Sequence, residues 1–317
     1  MHPAFSVIIF STLSGAGYGL LFWSALAALT GRVDPWLLAV ATALALVLAT
    51  VGLVSSLWHL GKPMRAWRAF SQWRTSWLSR EGVAAVLTYP PALAFGLLAY
   101  AQMIDRHDAV FSIPLNAATV ALCLLLAACA LVTVACTAMI YASLKPIPAW
   151  RHRLVLPGYL VFALLSGGLL LAAIEGVDGR LGRLPALLAI TLMAALWWLK
   201  RRYWRDIDHT PLPATRGDAV GLPEREVQVF ERPHTEGNFL TREMVFVLAR
   251  KHARKLRSIA VLLFAVLPAL LMLPVWLLVH VDAAPWFAAA AVSTLCGAAV
   301  ERWLFFAEAR HLVSLYY

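Results

Sequence analysis

His59 and Glu81 bracket the one part of this sequence that is dense in groups able to do chemistry. Residues 55–82 read SSLWHLGKPMRAWRAFSQWRTSWLSREG, with Lys62, Arg65, Arg68, Arg74 and Arg80 set among Trp58, Trp67, Trp73 and Trp77. Imidazole titrates near neutral pH, and a carboxyl group can pass a proton onward. A histidine and a carboxylate at a membrane edge suit the oxidation or reduction of a quinone, whose ring oxygens lose or gain protons as electrons move. Arg65 and Lys62 would stabilise negative charge developing on the ring. A plainer reading stands beside this one. Tryptophan and arginine at a membrane interface normally fix depth, which accounts for Trp67, Arg68, Trp73, Arg74 and Trp77 without chemistry. His59 and Glu81 would then be a structural pair.

These residues need two helix ends at similar depth. Gly61 and Pro63 are poor helix-interior residues, so the spacing predicts that one helix closes at His59 and LGKP turns the chain. The next helix opens at LSREG, with Ser79 as its cap and Glu81 in its first turn.

The rest of the composition says what those helices sit in. The 317 residues are 61% hydrophobic and only 14% charged, with a mean hydropathy of +0.74. A soluble chain is normally about 25% charged. Eight apolar stretches stand out, at 5–29, 36–58, 83–104, 115–143, 154–174, 184–199, 258–280 and 286–307. Each approaches the ~20 residues that cross a ~30 Å hydrocarbon core, the sixth being the shortest. None alternates with the period of two that marks barrel strands. The expectation is an all-α polytopic membrane protein, a single integral domain over 1–317, with the first stretch retained as a span rather than cleaved. Small residues at 14–19, 166–168 and 297–299 favour close helix packing. Cys123, Cys129, Cys136 and Cys296 all lie in apolar runs without C-x-x-C spacing, so they read as small hydrophobes rather than metal ligands.

Charge sets the orientation. The loops after the first, third, fifth and seventh stretches hold Arg32, Arg106, Arg180 and Arg183, whereas the other 23 of 27 Lys and Arg lie on or near the opposite side. Positive loops stay inside, which predicts cytoplasmic termini and a cytoplasmic location for residues 55–82. The same side carries the long connection 200–257, where 13 basic residues face eight acidic ones. Its Val227, Val229, Phe230, Phe239 and Leu240 suit a partner surface better than free disorder.

Other classes fit less well. No P-loop, G-x-S-x-G or nucleic-acid signature is present. A secondary transporter would need broken helices and charges near the midplane. The sequence offers no obvious break, and Glu175 and Glu301 fall near span ends. A transmembrane haem needs two histidines at one depth; His59, His280 and His311 do not form such a pair, so no haem is expected.

The quoted segment is similar to the signature of a known family, with an H-L-G-x-P step followed by S-W-L-S-R-E. The family comprises the membrane anchor subunits of dimethyl sulfoxide reductase-type molybdoenzymes, the DmsC family. The likeness runs through the chain, including eight spans. FERPHTEGNFLTREM in the long loop and ERWLFFAEARHLVSLYY at the end resemble one branch, the anchors of cytoplasmic sulfite dehydrogenases. The resemblance implies a heterotrimeric complex in the bacterial inner membrane. A catalytic subunit would carry molybdopterin and a ferredoxin-like subunit the iron–sulfur clusters. The anchor would bind quinone (ubiquinone or menaquinone) and no haem. Carried over by position, it points to His59, Gly61, Arg65 and Glu81 as quinone-site residues. Trp67 stands where other members have a different aromatic. Cytoplasmic placement of the partners favours the sulfite-oxidising branch over an exported reductase.

Overall fold

The computed structural model describes residues 3–104, 113–179, 181–231, 236, 248–278 and 282–316. All regular structure among them is helical, and eight helices are long and apolar enough to cross a membrane. The spans are Phe5–Leu29, Pro35–Ser56, Trp77–Ile104, Ala117–Ala142, Val155–Glu175, Leu184–His209, His252–Leu277 and Ala284–Ala307. Their starts follow local chemistry. Asp34 accepts from the Trp36 amide at 3.0 Å, with Pro35 in the first helical position, and Asn116 accepts from the Thr119 amide at 2.9 Å.

The first span is central, packing against the second, fourth, fifth and eighth. Its glycines make that possible. A Cβ on Gly17 would lie 2.6 Å from the Ala45 carbonyl oxygen, and one on Gly19 would run into the Ala163 carbonyl. Lipid offers no hydrophobic drive for helices to associate, so close backbone contact must supply it. The cysteines are free and sit within the fourth and eighth spans.

Several expectations need correction. The sixth helix does not stop near 199. It runs to His209, because Lys200, Tyr203 and Trp204 keep one buried face on the helical repeat while Arg201 and Arg205 point outward. Helix resumes at Leu248, and in between Thr215 and Asp218 form a capping box around the turn Arg216–Ala219. That turn receives the Tyr316 hydroxyl on the Ala219 carbonyl at 2.8 Å. The seventh helix is not unbroken either. It passes through a π-helical turn at Leu262–Val266 and breaks at Met272, just before Leu273–Leu277. Ser293 of the eighth span donates to the Leu263 carbonyl at 2.7 Å, satisfying an acceptor the π turn loosens.

Candidate functional site

The second span ends in a 3-10 turn, Leu57–His59, and Leu60 is extended at φ −82°, ψ 126°. The chain therefore breaks at LGKP, as its glycine and proline require. A ten-residue 3-10 helix, Pro63–Gln72, follows, with none of its residues buried. Trp58, Met64 and Trp67 are strongly exposed. Arg68 lies 5.7 Å from the Trp67 ring and Arg74 lies 5.5 Å from the Trp73 ring. This is the arrangement of an interfacial belt.

The third span begins at Trp77, earlier than the sequence spacing predicts. Ser79 is consequently inside the helix, and its hydroxyl donates to the Ala69 carbonyl rather than capping. Arg80 holds the segment from the other side, donating to the Trp73 carbonyl at 3.0 Å and the Arg74 carbonyl at 2.7 Å. Phe70 packs on Gly82. The 55–82 segment is thus fastened across the end of the third span. Glu81 falls in the second turn rather than the first, only 6% exposed, and its Oε1 finds no hydrogen-bond partner among the described residues. A buried carboxyl oxygen without a partner is costly, which makes Glu81 a candidate functional residue.

The other expected site residues are placed differently. Gly61 is exposed and a Cβ there would meet nothing within 4 Å, so neither space nor a positive φ demands glycine. Arg65 and Trp67 are exposed on the 3-10 helix, whereas Glu81 is buried. The His59 backbone closes its turn, and its side chain lies outside the described groups. In the long connection Val229 and Phe230 are exposed, whereas Phe239 and Leu240 lie outside the described residues, as do Arg106, Arg180 and His280.

Sequence reasoning missed a second polar centre. Glu301, read from sequence as near a span end, is 1% exposed two turns inside the eighth helix. It forms an ion pair with Lys200 of the sixth span and lies 3.1 Å from Arg302 Nη1. The Arg302 contact has ion-pair distance without hydrogen-bond alignment, so Glu301 Oε2 and Arg302 Nη1 both remain without a hydrogen bond among the described residues. Arg302 Cζ sits 3.5 Å above the Tyr159 ring. Nearer the surface, Arg257 bridges Asp208 at 2.6 Å and Glu308 at 2.9 Å. Burial pushes the Glu308 carboxyl up, against the pull of Arg257. The available signal was three ionisable residues, Lys200, Glu301 and Arg302, within or against apolar runs.

These features define a helical membrane protein with a polar, ionisable end to its bundle, on the side of the 55–82 segment. The chain matches the family described as DMSO reductase anchor subunit (DmsC) over residues 1–307. It is also 32% identical over 335 aligned positions to a sulfite dehydrogenase subunit of Allochromatium vinosum, spanning 100% of this chain and 99% of that one. The chain belongs to the DmsC family: it is a multi-pass membrane anchor subunit of a molybdoenzyme, a family that implies catalytic and iron–sulfur partner subunits.

Proposed function

We propose that this anchor is the quinone-reactive subunit of its complex, carrying electrons between the iron–sulfur subunit and the quinone pool as sulfite is oxidised to sulfate in the catalytic subunit. The observation that carries the reading is Glu81, a buried carboxyl group with an unpartnered oxygen among the described residues, beneath an aromatic and basic rim. The residues fit such a ligand. Val47, Val51, Val54, Val86 and Leu87 leave an apolar flank on the second and third spans, by which a lipid-soluble molecule can approach. Trp58 and Trp67 supply flat surfaces, and Lys62 and Arg65 supply positive charge. A quinone contributes the chemistry of taking up or releasing two electrons with two protons. His59 is the ligand and proton partner of the ring oxygen, Glu81 carries the proton onward, and Arg65 attends the developing charge. The named activity of the relative and the basic character of the 55–82 side support sulfite oxidation with cytoplasmic partners. The membrane is then the bacterial inner membrane, with both termini cytoplasmic.

The test uses the purified heterotrimer. Sulfite-dependent reduction of a ubiquinone or menaquinone analogue is expected to be lost in His59→Ala and Glu81→Gln, while sulfite oxidation with an artificial dye survives. Unchanged quinone kinetics in both variants would overturn the site. Quinol-driven sulfoxide reduction in place of sulfite oxidation would keep the site and assign the complex to the reductase branch, the reading the family description favours.

A further inference from the structure

Between the first, fourth, fifth and eighth spans lies a small cavity of about 20 Å³ lined by Thr12, Ser14, Tyr18, Thr137, Tyr159 and Arg302. A site needs about 10–15 Å³ to hold one water, so a water fits here. The cavity's walls carry more unused hydrogen-bonding capacity than a bundle core tolerates. Thr12 Oγ1, Tyr18 Oη, Tyr159 Oη and Arg302 Nη1 are all buried without a hydrogen-bond partner among the described residues. Each such group costs about 1–3 kcal/mol. A cluster of unsatisfied groups around one water-sized space is where an ordered water is held.

The cavity has polar neighbours on both sides. Toward the third span, the buried stripe Glu81, Ala85 and Thr88 meets the fourth span, where Thr88 and Thr133 share a hydrogen bond of 3.0 Å and Thr137 continues to the cavity. Tyr18 is on the cavity wall, and Tyr141 is stacked 6.1 Å from Tyr159, which also lines it. On the far side Arg302 leads to Glu301 and Lys200. Lys200 Nζ lies 4.8 Å from the Tyr203 ring. Beyond it, Arg257, Asp208 and Glu308 line a surface pocket of about 440 Å³ together with His152 and Asp206.

We propose that this file is a proton relay, joining Glu81 along the Thr88, Thr133 and Thr137 stripe to the cavity walled by Tyr18 and Tyr159, and onward to the Glu301–Lys200–Arg302 cluster and the Arg257 rim. The inference rests on the quinone-site reading. Reduction of one quinone consumes two electrons, supplied by the iron–sulfur subunit, and two protons. Each proton leaving Glu81 is replaced from the cavity. Glu301 is restored in turn from the rim, so the relay itself is unchanged after turnover.

The test separates this from a merely structural charge cluster. Tyr18→Phe and Tyr159→Phe remove only the unpartnered hydroxyls, and Thr12→Val removes a third from the same wall. The first readout needs no turnover: after a pH jump in the intact complex, the infrared band of the Glu81 carboxyl, identified by its absence in Glu81→Gln, is followed in time. Its protonation is expected to slow about tenfold or more in all three variants, in keeping with the weight of a positioned proton donor. Quinone-coupled turnover should fall similarly with an unchanged KM, and millimolar acetate, a small proton carrier, should restore it. Wild-type protonation rates and turnover in all three variants would overturn the relay. So would slowed turnover that acetate leaves untouched. If Glu81→Gln itself keeps full quinone turnover, the quinone site has failed; if Glu81 is required and the three variants are silent, only the relay has.

Discussion

Charge counting in the Lys200–Glu301–Arg302 cluster predicts an unequal response to removing its members. All three side chains are nearly fully buried: Lys200 is 4%, Glu301 1% and Arg302 2% exposed. Glu301 is the one anion between two cations, so Glu301→Gln leaves two positive charges facing each other in an apolar bundle. Breaking a buried pair by removing one partner costs about 3–5 kcal/mol, because the remaining charge is uncompensated. Lys200→Met instead leaves Glu301 beside Arg302 at 3.1 Å, a neutral pair in place of a triad. That exchange removes the Lys200 hydrogen bond to Glu301 while Arg302 still compensates the charge, a loss of about 1.5 kcal/mol or less. At roughly 2 °C per kcal/mol for a chain of this size, Glu301→Gln should lower the apparent melting temperature of the detergent-purified complex by about 6–10 °C. Lys200→Met should move it by about 3 °C or less. The assay is thermal unfolding followed by a thiol-reactive dye, since Cys123 and Cys136 are buried in the fourth span and become reactive only on opening. A Lys200→Met complex that melts as low as Glu301→Gln would refute the counting, and with it the view that Arg302 compensates Glu301.

Other expected outcomes follow from the same contacts. Arg257→Ala strands Glu308, whose side chain is 7% exposed, and should cost about 3 kcal/mol, whereas Asp208→Asn, 49% exposed, should cost under about 1 kcal/mol by the same melting assay. Gly19→Ala should prevent normal assembly of the first and fifth spans, seen as loss of complex on size-exclusion chromatography, while Gly61→Ala should leave assembly intact. Burial pushes His152 below the usual imidazole range despite Asp206 at 3.3 Å. The unfolded chain therefore binds this proton more readily, so stability at this residue is lost as pH falls below about 6.5 and regained above it. Melting curves of wild type and His152→Gln across that range should converge at high pH and separate at low pH; parallel curves would contradict the assignment.

The sequence and the fold agree where one physical rule dominates and part where two compete. Span number was legible because ~20 apolar residues in succession admit few other structures. Breakage at LGKP was legible because proline and glycine act on their own backbone. The start of the third helix was not, since Trp77 and Leu78 read equally as interface anchors, and only the contacts of Ser79 and Arg80 with the preceding loop draw them into the helix. The full length of the sixth helix is hidden by KRRYW, a run of charge that hydropathy alone assigns to water. Its length follows from the partner Lys200 meets: Glu301 is about a hundred residues away in sequence, and no local rule reports it.

The same long-range pairing explains why the polar end of the bundle is tolerable in lipid. The inner cluster of Lys200, Glu301 and Arg302 carries one surplus positive charge. The rim cluster of Arg257, Asp208 and Glu308 carries one surplus negative charge, and the Tyr203 ring stands 4.8 Å from Lys200 Nζ of the inner cluster. Taken together the six groups are neutral, arranged so that positive charge lies deeper and negative charge toward the surface. Glu81 stands outside that balance, on another helix, with an oxygen that no described side chain claims. A carboxyl group left out of a neutral network has no structural duty in it. On the proposed function, its burial is that of a group whose proton comes and goes beside an exchangeable ligand.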